Sequence, residues 1–214
     1  SPGGAVPQYG LASSQLERLK KARLRCVVCV DTVAASGGYM MAAVADKIIA
    51  APFAIVGSIG VVAGIPNFHR VLQKNEVDYH LFTAGKYKRT VTPFSKVTKE
   101  GKQKMQDDIS AIHDAFKKVI KEGRPDVDIE EIATGEYWLA LDAKEKGLVD
   151  EIMTSDDYLC SKIEEWEVIE INTEINQNRL EKLIEGGASL FRQWRNSRIP
   201  GSGEEVEDLS QRFR

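Results

Sequence analysis

Val33-Ala34-Ala35-Ser36-Gly37-Gly38-Tyr39-Met40-Met41-Ala42-Ala43-Val44-Ala45-Asp46 sets one hydroxyl between an apolar, strand-like run and a stretch of small helix formers. Just upstream, Cys26-Val27-Val28-Cys29-Val30 reads as a buried strand, while Tyr39 to Ala45 reads as a helix. Ser36 is therefore expected at a strand-to-helix turn, where the free amides of a helix N-terminus converge. That is a suitable address for a nucleophile. Gly37 and Gly38 allow close approach of a bound carbonyl, and the amide just after the serine is placed to stabilise a developing oxyanion. The same pattern also fits an ordinary N-cap serine before a tightly packed helix.

Further out, Ser1-Pro2-Gly3-Gly4-Ala5-Val6 forms a second glycine turn, followed by a polar helix pattern from Leu11 to Leu24. Two such turns side by side can supply one amide each. Short apolar runs alternate with helical patterns along the rest of the chain, an α/β arrangement. Strands are expected at Leu24 to Val30, Lys47 to Ala51, Asp78 to Thr83 and Val168 to Ile171. Ile55 to Val62 is interrupted by Gly57 and Gly60 and reads as a loop with a short helix. The clearest helix runs from about Lys99 to Lys121, with Met105, Ile109, Ile112, Phe116 and Val119 on one apolar stripe that serves packing or subunit contact. Ile129 to Ala133 and Leu139 to Lys146 read as two further short helices, with Gly147 at a C-cap.

Length and composition narrow the functional classes. A chain of 214 residues can bury a full core as one α/β domain with an appendage. Its 29 basic and 32 acidic residues give 29 − 32 = −3, so no basic field is offered to a nucleic-acid backbone. Cys26 and Cys29 are three apart on an expected strand, so their side chains point to opposite faces, and Cys160 lies far away without a partner cluster of Cys and His; a structural zinc site is disfavoured and all three are expected to be buried thiols. No run reaches the roughly twenty apolar residues of a membrane span. After Asn172 the chain turns polar and glycine-rich, an appendage expected to be helical at Arg179 to Glu185 and Leu190 to Arg195.

Ser-Pro-Gly-Gly and Ala35-Ser36-Gly37-Gly38-Tyr39-Met40-Met41 occur in order with Val44-Ala45-Asp46-Lys47-Ile48 and Ala51-Pro52-Phe53-Ala54-Ile55-Val56-Gly57-Ser58-Ile59-Gly60-Val61-Val62. Thr83-Ala84-Gly85-Lys86-Tyr87-Lys88-Arg89-Thr90, Ala133-Thr134-Gly135-Glu136 and Lys146-Gly147-Leu148-Val149-Asp150-Glu151 follow. Together these resemble the signal peptide peptidase A family of serine proteases, in particular its SohB branch, within the ClpP/crotonase superfamily. The resemblance implies a ClpP/crotonase-like core of repeated ββα units over residues 1–171, missing its first strands, and a partly helical extension over 172–214.

The resemblance also chooses a base for the serine. His69, His80 and His113 have no motif around them, and a neutral lysine can take the hydroxyl proton if burial lowers its usual pKa of about 10.4. The family's Gly-x-x-Lys pattern falls on Gly85 to Lys88, so Lys88 is the implied base, 88 − 36 = 52 positions beyond Ser36. Ser58 resembles the family serine that orients the lysine, and the amides of Gly37 and Gly4 are the implied oxyanion donors. A Ser36–Lys88 dyad of this kind hydrolyses peptide bonds with no metal or organic cofactor.

By the same resemblance, the substrates are signal peptides or misfolded envelope proteins. The protein is expected to be a tetramer or octamer enclosing its active sites. An N-terminal anchor outside this sequence would hold it at the bacterial inner membrane, with its catalytic domain facing the periplasm. Two other classes use the same features differently: a crotonase-like acyl-CoA enzyme needs the two amides but no nucleophile, and a silent scaffold needs neither.

Overall fold

In the computed structural model, residues 1–172 are described, and Ser1–Glu167 form one compact unit. The helices expected at Arg179 to Glu185 and Leu190 to Arg195 lie outside the described residues. Helix α1 (Val6–Lys21) starts five positions before the expected Leu11, because Pro7 sits in its first turn, where a missing N–H costs nothing. It ends on Arg18, Lys20 and Lys21, cations that suit the negative end of a helix dipole.

The expected strand at Leu24 to Val30 narrows to β1 (Val27–Val30). Beyond the Asp31-Thr32 bend lies a second strand that the sequence reading did not separate, β2 (Val33–Ala35), and then α2 (Gly37–Ala43). Strand β3 (Lys47–Ala50) follows as expected, whereas Ile55 to Val62 gives a strand, β4 (Ile55–Gly57), and an irregular loop in place of a short helix. Gly57 does interrupt this run, but only after β4 has paired in parallel with β2 in register Val33 to Ile55.

Further along are α3 (His69–Lys74), α4 (Lys99–Gly123), α5 (Ile129–Ile132) and β5 (Tyr137–Leu139). Helix α6 (Ala140–Glu145), β6 (Glu151–Ile152) and α7 (Ser155–Cys160) complete the described elements. The strands form two sheets, β1-β3-β6, all parallel, and β2-β4-β5, in which β5 runs antiparallel to β4. Each consecutive pair, β1-β2 and then β3-β4, sends its first strand to one sheet and its second to the other. This is the mixed α/β, ββα spiral anticipated from the sequence, and it turns the chain through Ser36 at the end of β2.

The core lies between the sheets and α4. Ile48 and Ile49 of β3 and Val56 of β4 are fully buried, and continuous apolar strands of this kind suit a sheet covered on both faces. Small residues line α2 because α4 packs directly on it: a methyl on Gly123 would lie 2.0 Å from the Ala43 carbonyl oxygen. The α4 stripe is only half used for packing. Phe116 is buried and Val119 packs against the core, but Ile112 is exposed and Ile109 lines a cleft.

Two expected strands are absent. Asp78 to Thr83 and Val168 to Ile171 are irregular, with Phe82, Ile169 and Ile171 exposed. Their apolar residues suit a strand, but a strand also needs a ladder partner for its backbone groups, and these segments have none among the described residues. Cys160 corrects another expectation. It is exposed at the end of α7, a helix with no buried residue, while Cys26 and Cys29 are half-buried free thiols.

Gly147 does cap α6. At φ 75° it takes the left-handed conformation, the Gly147 amide donates to Lys144 O and the Leu148 amide to Ala143 O, the paired bonds of a Schellman ending. The chain then runs into Asp150, whose carboxylate takes both Nη1 and Nη2 of Arg124 (2.9 and 2.7 Å) and the Ile48 amide (2.7 Å). Arg124 also donates to Gly147 O, so one guanidinium ties the end of α4 to the loop that enters β6.

Candidate active site

Ser36 has φ 52° and ψ −122°, a region that L side chains occupy only under strain, at a cost of about 1–3 kcal/mol. The strain comes from its place in the chain. Its amide closes the β2-β4 ladder on Gly57 O (2.8 Å), and its carbonyl already accepts the Met40 amide of α2 (3.0 Å), so one residue must turn the backbone from strand to helix. A strained strand-to-helix turn lifts a serine hydroxyl out of the backbone, as in the nucleophile elbow.

The N-cap explanation does not fit this geometry. Thr98, Asp128 and Thr154 each cap a helix here with a side-chain oxygen that accepts a backbone amide, and Ser36 makes no such bond. Ser36 instead lines a cleft of about 890 Å³, together with Gly3, Gly4, Ser58, Val61, Ile109 and His113, among others.

The two glycine turns meet at this point. A methyl on Gly3, itself at φ 92°, would lie 2.8 Å from Ser36 Cβ, from the Gly37 nitrogen and from Ala35 O, so only a bare backbone can cross there. Ser1 continues the approach: its carbonyl accepts the Ala35 amide at 3.1 Å and its nitrogen donates to Val33 O, the pattern of a parallel ladder beside β2. The Gly4 and Gly37 amides have no acceptor among the described residues.

Ser58 lines the same cleft, again with a left-handed backbone (φ 52°), and its amide donates to Glu136 O at 2.6 Å. Of the expected site residues, Ser36, Gly4 and Ser58 thus share one cleft, with Gly37 next to Ser36 in the chain. Lys88 does not join them. It lies on an exposed turn closed by its own amide on Gly85 O (3.1 Å), within a segment whose Val62, Phe82 and Tyr87 are also exposed. Lys86 is engaged elsewhere, paired with Glu100 at 2.8 Å.

His113, which has no motif around it in the sequence, lines the cleft. It reaches across from α4 and one ring nitrogen meets Ile59 O at 3.2 Å, bracing the Gly57 to Gly60 loop. Its helical phase next to Ile109 was the signal available. The cysteines offer no rival nucleophile, since burial pushes the Cys26 and Cys29 thiols up and neither lines the cleft. No group of three or more metal-ligating side chains occurs among the described residues.

Residues 18–168 match peptidase family S49. The chain belongs to that family. It is 51% identical over 182 residues to a probable protease SohB of Haemophilus influenzae, covering 85% of this chain and 52% of that protein. A probable protease SohB of Buchnera aphidicola from Acyrthosiphon pisum is likewise 51% identical over 182 residues, 85% of this chain and 54% of the relative. A putative protease of Methanocaldococcus jannaschii is 37% identical over 186 residues, covering 83% and 59%. The chain therefore spans about half the length of these two SohB relatives. As a member of S49 it carries the family's peptidase fold, and the strained Ser36 turn sits inside the matched region.

Proposed function

We propose that this S49 member is a serine endopeptidase in which Ser36 is the nucleophile and Lys88 the base. The observation that carries the reading is the Ser36 turn, strained and uncapped, lining a cleft beside two glycine amides that have no acceptor among the described residues. Lys88 takes the Ser36 proton as Oγ bonds to the scissile carbonyl carbon, and the Gly37 and Gly4 amides hold the oxyanion. Collapse breaks the C–N bond, and Lys88 passes the proton to the leaving amine. A water that gives its proton to Lys88 then attacks the acyl-serine, and Ser36 leaves with a proton returned from Lys88. Ser58 orients the lysine amine.

Because Lys88 lies outside the cleft of its own chain, the dyad in this proposal closes only on assembly, when the exposed segment around it packs on a second copy. A tetramer or octamer with inward-facing serines would also restrict access to extended chains. Signal peptides or misfolded envelope proteins at the periplasmic face of a bacterial membrane are the proposed substrates, on family resemblance. No helix among the described residues is long and apolar enough to cross a membrane.

The test is peptide hydrolysis by the full-length protein. Ser36→Ala and Lys88→Ala should each abolish activity, and the double variant should be no worse, since a dyad acts as one unit. Activity that survives Lys88→Ala but is lost in His113→Ala moves the base to His113. Mixing the two inactive single variants restores some activity if one copy lends its lysine to another's serine. Unchanged function of Ser36→Ala in cells would favour a scaffold, and CoA thioester turnover a crotonase-like enzyme.

A further inference from the structure

Tyr9 stands in the first helix, yet its ring and hydroxyl reach both glycine turns. Its ring lies against both at once: a methyl on Gly37 would fall 2.4 Å from Tyr9 Cγ, and one on Gly4 would fall 2.9 Å from Tyr9 Cε2. Its hydroxyl donates to Gly3 O at 3.0 Å and is 2.8 Å from Ser1 Oγ, which in turn accepts the Gly3 amide at 3.3 Å. A phenol has one proton to give. With that proton on Gly3 O, the Ser1 hydroxyl must donate to Tyr9, and the three groups close a ring of hydrogen bonds.

The Gly3 carbonyl and the Gly4 amide belong to the same peptide plane and point in opposite directions. Holding the carbonyl therefore aims the amide. A Gly-Gly peptide has little steric reason to keep one orientation, and Gly3 is at φ 92°. Hydrogen bonding to the carbonyl also polarises the peptide and makes its N–H the better donor.

We propose that Tyr9 is a positioning residue that sets the oxyanion hole: its hydroxyl latches the Gly3-Gly4 peptide with the Gly4 amide turned to the cleft, and its ring fixes the spacing between that peptide and Gly37. The inference rests on the Ser36 nucleophile proposed above. It extends that reading to a residue that touches neither substrate nor the reacting atoms, and it makes α1 part of the catalytic framework.

Tyr9→Phe in the full-length protein removes one oxygen and keeps the ring. Removing an oxyanion donor outright costs roughly 100- to 1000-fold in kcat, and releasing its orientation should cost about 10- to 100-fold. KM should stay within about twofold, because the latch acts on the tetrahedral state and not on ground-state binding. A peptide aldehyde, which forms a hemiacetal with the serine, should lose affinity by the same factor as kcat. The same peptide, offered as an uncleaved substrate, should bind Ser36→Ala and the Tyr9→Phe/Ser36→Ala double variant equally well.

Wild-type kcat in Tyr9→Phe overturns the assignment, as does a fall in kcat matched by a fall in Tm of more than about 10 °C, which would mark a merely structural tyrosine. A fluorophosphonate adduct mapped on the unsubstituted protein separates the two readings. If it is not on Ser36, the nucleophile is wrong and this inference falls with it. If Ser36 is labelled and Tyr9→Phe is fully active, only the role of Tyr9 is refuted.

Discussion

Asp150→Ala tests how the site's scaffold is held. In the native protein the Asp150 carboxylate takes two guanidinium N–H groups of Arg124 and the Ile48 amide, with the Arg124 side chain 13% and the Asp150 side chain 33% exposed. Breaking a fully buried pair costs about 3–5 kcal/mol, and an exposed pair about 0–1 kcal/mol. The pair here sits nearer the buried limit on the arginine side and is partly screened on the aspartate side, so about 2–3 kcal/mol is expected, including the orphaned Ile48 amide. At about 2–4 °C per kcal/mol for a domain of this size, Tm should fall by about 4–12 °C.

The pH dependence has a definite sign. Burial alone would raise the Asp150 carboxyl, but hydrogen bonds from Arg124 and the Ile48 amide outweigh it and hold the group below its ordinary value. A carboxyl depressed in the folded state contributes its stability above the unfolded pKa of about 3.9, and that contribution is lost as pH falls through the folded value. Thermal melts followed by circular dichroism should therefore show a constant gap between wild type and Asp150→Ala from about pH 8 to pH 5, closing below about pH 4. A gap under about 2 °C at pH 7, or one that widens on acidification, would refute the reasoning.

Three further outcomes are expected. Gly37→Ala drives a methyl to 2.4 Å from Tyr9 Cγ, so Tyr9 must move by about an ångström; peptide hydrolysis should fall about 100-fold or more while the protein stays folded by circular dichroism. Gly123→Ala drives a methyl to 2.0 Å from Ala43 O and should force α4 off α2, lowering the urea midpoint by the equivalent of about 1–3 kcal/mol with an unchanged slope. If a lysine is the base, the rate should climb toward alkaline pH; a profile set by a group in the ordinary histidine range of about 6.5 would instead argue for a histidine base.

Ser36 was legible because its neighbours are local: three strand residues before it and two glycines after it lie within one turn of chain, and glycine there has few other uses. The long α4 helix was legible for the same reason, since its stripe repeats every three to four residues. The division of Val27 to Ala35 into two strands of different sheets was not, because strand pairing depends on partners at Lys47 and Ile55 that no local pattern names. The short apolar run at Asp78 to Thr83 pointed to a strand, but with no backbone to pair with among the described residues, it remains exposed.

The sequence alone marked the candidates: a serine between a strand and a glycine-rich helix start, a second Gly-Gly turn, and, by family resemblance, a lysine in a Gly-x-x-Lys segment. Only the tertiary structure decided which of them meet. It brings Gly3 and Gly4 against Ser36 and Gly37, swings His113 into the cleft, sets Tyr9 between the two turns, and leaves Lys88 outside. Side-chain chemistry and backbone periodicity are written residue by residue, whereas proximity across tens of positions follows from how the sheets pair and the helices pack.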